Sequence, residues 1–151
     1  MATLFLICGL PGAGKTTLAK QLEVSVPALR LSPDEWIARL LTDINDIPER
    51  DRLREPVQEL LWELAKRTLM LGGDVILEFG FWSREERARY RSEAEALGAR
   101  VELRYLDVPR DELWARLSKR NANLPPGTFA VTEEDLDLWL TWFELVTDDE
   151  F

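Results

Sequence analysis

The sequence predicts an α/β protein of three layers, α/β/α, with a mainly parallel sheet of about four to five strands and a small lid. Three observations predict it. Short apolar runs alternate with longer stretches of helical periodicity along the whole chain. The first apolar run passes directly into a glycine-rich loop and then a helix. The chain has 151 residues, which suits one domain with its own core, and no linker, repeat or low-complexity stretch divides it.

In order, residues 4–8 form a continuous apolar strand, the pattern of a strand covered on both faces. Residues 9–14 are a loop, 15–24 a helix and 28–31 a brief second strand. Ser32 as N-cap, Pro33 at the first helical position and Glu35 three residues past the cap start a helix that runs to about Leu41. Residues 42–48 read as a polar linker. A longer helix spans 49–71, with Leu53, Val57, Leu60, Leu61, Leu64 and Leu71 at helical spacing and Gly72-Gly73 as its stop. Val75-Ile76-Leu77 marks a third buried strand over 74–79. Residues 83–97 form a charged amphipathic helix that Gly98 ends, and 100–106 a fourth strand. Pro109 opens a helix to about Arg120. Pro125-Pro126-Gly127 makes 121–130 a mobile loop, so the lid covers about 121–131. Thr132 caps a last helix with Leu136, Leu140 and Phe143 on one face, and Asp148-Asp149-Glu150 reads as a solvated tail.

Composition limits the chemistry. Hydrophobic residues make up 46% and charged residues 31%, which argues against disorder. The net charge of −9 disfavours nucleic acid and anionic bilayers as partners, since both bind through phosphate neutralisation. One cysteine, Cys8, cannot form an internal disulfide and reads as a small buried apolar residue. The apolar N-terminus lacks a basic region, and no run nears the roughly 18 apolar residues of a membrane span, so a cytoplasmic protein is expected. There is no histidine, which excludes Ser-His-Asp hydrolysis, Cys-His catalysis and His-ligated zinc. Carboxylates, Lys, Arg, hydroxyls and a hard cation remain.

Gly9-Leu10-Pro11-Gly12-Ala13-Gly14-Lys15-Thr16 matches G-x-x-x-x-G-K-[ST] at every defined position, between a strand and a helix. Glycines let the backbone wrap a phosphate with its N–H groups inward, and the helix start adds positive potential. Gly9, Gly12, Ala13, Gly14, Lys15, Thr16 and Thr17 are therefore expected to bind ATP, with Lys15 on the β- and γ-phosphates and the Thr16 hydroxyl on Mg²⁺. Transfer also needs a group that takes the acceptor's proton and groups that screen charge. Asp34, just past the second strand, is placed to be that base. Glu78, at the end of the third strand, is placed to hold Mg²⁺ or touch substrate. Trp82 and Arg84 are assigned to the acceptor pocket, and Arg116 and Arg120, beside the lid, to the transferred charge.

With those residues in place, the chain resembles the P-loop kinases of the AAA-type predicted-kinase group. Relatives of that group include polynucleotide 5′-kinases, chloramphenicol phosphotransferase and the zeta-toxin kinases. The likeness rests on residues 9–16, on Leu31-Ser32-Pro33-Asp34-Glu35-Trp36, on residues 75–84 and on the 116–121 segment before the lid. It implies a P-loop, nucleoside-kinase-like fold, Asp34 as base and Arg120 as lid arginine. Two departures stand out: Glu78 lies where close relatives carry Asp, and Arg39 is the nearest candidate for the arginine that polynucleotide kinases place soon after the base. The expected function is ATP- and Mg²⁺-dependent phosphate transfer to a small hydroxylated molecule such as a nucleoside, sugar or antibiotic. A polynucleotide 5′-hydroxyl kinase and a nucleotide-dependent switch or ATPase are the alternatives. No base-reading motif chooses adenine over guanine.

Overall fold

The computed structural model describes all 151 residues. Its elements are β1 (Thr3–Cys8), α1 (Lys15–Ser25), β2 (Leu29–Leu31), α2 (Pro33–Leu40), α3 (Ile47–Met70), β3 (Val75–Gly80), α4 (Arg84–Ala96), β4 (Arg100–Tyr105), α5 (Arg110–Asn121) and α6 (Glu133–Trp142), with a 3-10 turn at Asp148–Glu150. The four strands form one sheet in the order β2-β3-β1-β4, and every pairing is parallel. A helix lies between successive strands, as parallel pairing requires.

Burial follows the two-residue period of the strands. Every residue of β1 is buried. Leu4, Leu6 and Cys8, with Val75 and Leu77, face Leu61, Trp62 and Ala65 of α3 and Tyr90 and Ala94 of α4. Phe5, Ile7 and Ile76 point the other way, onto Ala19 and Leu22 of α1. A third cluster joins Leu10 and Ala13 of the glycine-rich loop to Leu113 and Leu117 of α5 and Leu136 of α6. The loop is thus braced from behind by apolar contacts. No helix is long and apolar enough to cross a membrane.

The structure departs from the sequence-based expectations in three places. The stretch expected as a polar linker already contains the start of α3: Asp46 accepts from the Glu49 N–H at 3.1 Å, and Pro48 lies in the first turn, where its missing donor costs nothing. Ser32 is the N-cap of α2, but its side chain makes no capping bond, and the Glu35 carboxylate, which would complete a capping box, instead accepts from Arg30 at 3.0 and 3.1 Å. The acidic tail is solvated only in part: Asp148 and Asp149 are exposed, and Glu150 is seated on α4. Arg87, 2% exposed, donates from Nε to Glu150 at 2.6 Å, and Arg91 donates to the Glu150 carbonyl at 2.5 Å. The arginines of α4 draw the tail in, a pairing that spans about sixty residues and leaves no local pattern.

Candidate active site

β1 ends at the carboxyl edge of the sheet, where ligands of open α/β sheets gather, and the chain turns there into α1. Gly12 has φ of 87°, and a Cβ on it would lie 2.9 Å from Leu117 Cγ, so the turn and its packing on α5 both require glycine. Ala13 is buried in the apolar cluster behind the loop and donates from its N–H to Leu10. Gly14 is the N-cap of α1, with no side-chain cap and no acidic residue in the first turn. Each of α2 to α6 carries at least one acidic residue there. The first turn of α1, with Thr16 and Thr17 exposed, is the one helix start left open to an external anion.

Lys15 Nζ folds back onto the loop and donates to the carbonyls of Gly9 and Leu10, at 2.9 Å each. Burial pulls its pKa down to about 8; Asp34 and Glu78 act to raise it and Arg120 to lower it further. The charges of Asp34, Glu78 and Arg120 therefore all reach Lys15.

Thr16 Oγ1 donates to Glu78 Oε2 at 2.9 Å, while Glu78 Oε1 accepts from Arg30 Nη1 at 2.8 Å. The glutamate is nearly buried. Parallel pairing of β1 with β3 sets the end of β3 beside the glycine-rich loop, which is why residues 62 apart meet. A hydroxyl and a carboxylate oxygen at this separation are hard donors that fit Mg²⁺. No group of three or more acidic or sulfur ligands surrounds them, so the other positions of such an ion fall to phosphate and water.

Asp34 lies in the first turn of α2, its side chain half exposed, and accepts from Arg54 Nη1 of α3 at 3.0 Å. Arg116 leans on the loop, with Nη1 at 3.3 and 3.4 Å from the carbonyls of Gly12 and Ala13, and pairs with Glu112 at 2.6 Å. Arg120 is half-buried and donates from Nη2 to the Phe129 carbonyl of the lid loop at 3.4 Å. Asn121 closes the base of that loop through both of its bonds to the Val131 backbone, at 2.6 and 3.1 Å. The loop reaches α2 at Gly127, where a Cβ would come within 2.8 Å of Glu35 Cγ.

Three predicted residues stand apart from this group. Trp82 packs its ring on Trp139 at 5.7 Å and points Nε1 at the Gly9 carbonyl at 3.4 Å, so it backs the loop. Arg84 is committed to the tail, through Thr147 and Asp149, and the acceptor-pocket assignment does not fit that position. Its exposed place at the start of α4 puts it where the acidic tail competes for it. Arg39 ends α2, exposed and without an ion pair.

Two arginines escaped sequence reasoning. Arg30 bridges Glu35 and Glu78; burial works against its charge, and these bonds outweigh it, so its proton is held more tightly than usual. The only local signal was a cation between two leucines of a short strand. Arg54 sits in the charge run of residues 49–55, which has the composition of a solvated face.

A sequence profile of the family described as AAA domain (AAA_33) matches residues 4–146. No curated protein sequence matches the chain. Among solved structures, the chain is similar to a kinase-assigned protein of Chloroflexus aurantiacus j-10-fl, with a TM-score of 0.75 and 22% identity over 91% of this chain and 74% of that one. It is similar to a sugar kinase of Janibacter sp. HTCC2649, at 0.68 and 24% over 99% and 82%. It also matches a chain of the Pnkp1/Rnl/Hen1 RNA repair complex, at 0.68 and 19% over 93% and 43%. At these identities the likeness is one of fold.

Proposed function

Because the chain belongs to the AAA domain family of P-loop proteins, we propose that it is an ATP- and Mg²⁺-dependent kinase acting on a hydroxyl of a small molecule. The observation that carries this is the convergence on one space of the glycine-rich loop, the Thr16–Glu78 pair and a carboxylate, Asp34, that faces the same charges as Lys15. A plain ATPase needs the first two. Asp34 supplies what a phosphate acceptor needs.

In this reading the loop amides and the α1 N-terminus hold the β- and γ-phosphates, and Lys15 leaves the Gly9 and Leu10 carbonyls for them. Thr16 and Glu78 would hold Mg²⁺, which when bound would screen the negative charge of the phosphates. Arg30 holds Glu78 in place through Oε1, as partners of metal ligands do. Asp34 accepts the acceptor's hydroxyl proton while the acceptor oxygen bonds to the γ-phosphorus and the bond to the β–γ bridging oxygen breaks, releasing ADP. Arg116, against the loop, and Arg120, against the lid, are the cations that would stabilise charge on the moving phosphoryl group. The kinase naming of two structural neighbours agrees with this reading.

Asp34→Asn tests it. The substitution should lower phosphate transfer by about 10²- to 10⁴-fold, with the ATP dissociation constant close to wild type. Unchanged transfer by the variant removes Asp34 from the chemistry.

A further inference from the structure

We infer that the acceptor carries an oxyanion, a phosphate or carboxylate, and that Arg50 and Arg54 of α3 read it beside Asp34. The inference rests on the kinase reading and names its substrate class.

Arg50 and Arg54 are four residues apart on α3 and share one face. That face looks onto Asp34 and the lid. Arg54 Nη1 is 3.0 Å from Asp34 Oδ1, and the Arg50 guanidinium lies 4.8 Å from the centre of the Phe129 ring. Arg120 joins them from α5 by its bond to the Phe129 carbonyl. Arg54 thus pairs with Asp34 while Arg50 and Arg120 meet at Phe129 of the lid, in a chain of net charge −9.

Their positive charge is under-compensated. Three buried side-chain polar atoms in the molecule lack a hydrogen-bond partner, and two are Nε of Arg50 and Nε of Arg120. The nearest carboxylate to Arg50, Asp51, is 3.7 Å from Nε, beyond a hydrogen bond, and is largely exposed. Buried donors are normally satisfied, so donors left over on adjacent arginines mark a place built for something further. Guanidinium forks match the planar, bidentate geometry of carboxylate and phosphate oxygens. Arg54 holds only Oδ1 of Asp34, which leaves Oδ2 to accept from an acceptor hydroxyl. An acceptor with an oxyanion next to its hydroxyl fits this arrangement, the oxyanion meeting the remaining guanidinium donors as the hydroxyl meets Asp34.

The test is steady-state transfer from MgATP by the full chain to matched acceptors: sugar acids, sugar phosphates and their neutral parent sugars. The expected result is a preference, in kcat/KM, for one charged series over its neutral parents. Arg50→Met and Arg54→Met should each cut that preference by about tenfold or more, mainly through KM, and Arg54→Lys should restore part of it. Whichever charged series is used identifies the oxyanion. Melting temperatures and ATP affinities taken alongside show that each variant is folded. Neutral acceptors used as well as charged ones, or a preference untouched in both methionine variants, overturns the inference and leaves the kinase standing. Absence of transfer to every acceptor overturns the kinase reading and the inference with it.

Discussion

Lys15 and Glu78 carry the chemistry at the scale of single residues, and both can be tested alone. Burial holds the free Lys15 ammonium near pKa 8, so above that pH the unliganded protein increasingly carries a neutral amine there. A polyphosphate favours the charged form, so ATP binding should take up a proton above about pH 8, and affinity should fall as pH rises through that value. Calorimetry in buffers of different ionisation enthalpy measures the uptake, and Lys15→Ala should abolish it. Glu78→Gln keeps the shape of the side chain and the Thr16 contact but removes charge. It should raise the Mg²⁺ requirement by about 10- to 100-fold, measured as the Mg²⁺ dependence of turnover. Residue patterns made part of this site legible. The G-x-x-x-x-G-K-[ST] spacing is local, and Asp34 and Glu78 follow strand ends by sequence alone. Arg30, Arg50 and Arg54 were illegible because their partners lie 48, 79 and 20 residues away, and each sits in surroundings that read as ordinary surface or strand.

Among the elements, the helix–strand alternation is readable because Leu4 to Cys8 of β1 and Val75-Ile76-Leu77 of β3 are uninterrupted apolar runs separated by stretches of helical period. Their ends are less so. Asp46-Ile47-Pro48 is a cap and first turn that resembles a linker until the Asp46 bond is seen. The C-terminal turn is the plainest case, since acidic residues next to a chain end look solvated and here Glu150 seats on α4. Arg87 also donates to the carbonyls of Phe81, Glu144 and Leu145. Arg87→Met takes a charged donor from those carbonyls and from the nearly buried Glu150 carboxylate and should cost about 3–5 kcal/mol, read as a fall in denaturant midpoint. The pair also sets acid stability. Burial works against the Glu150 carboxylate, but its bonds to Arg87 and the Thr147 N–H outweigh it and keep its pKa below the usual value of 4.5. Stability from this carboxylate is therefore complete above that pH and drains as pH falls through the depressed folded value. Glu150→Gln should flatten the wild-type loss of stability below about pH 4.5 in urea titrations at stepped pH.

For the whole molecule, a central strand between two parallel neighbours fixes where the loop, Glu78 and Asp34 meet, so site and core depend on the same packing. Leu6 is fully enclosed between β3, β4 and the helices of one face. Leu6→Ala should cost about 2–5 kcal/mol through the cavity it leaves, with a matching loss of melting temperature. The three-layer arrangement and strand number were legible from periodicity, whereas the lid's seat on α2 and the tail's seat on α4 depend on contacts between segments far apart in sequence.

The central claim is that this site passes phosphate to an acceptor hydroxyl and does not merely hydrolyse ATP. The most direct measurement follows γ-labelled phosphate from MgATP through a panel of small hydroxylated compounds, with Lys15→Ala as the inactive control. Label appearing in one class of acceptor, and absent with the control, is the result predicted. Label recovered only as free phosphate, whatever acceptor is present, would contradict it.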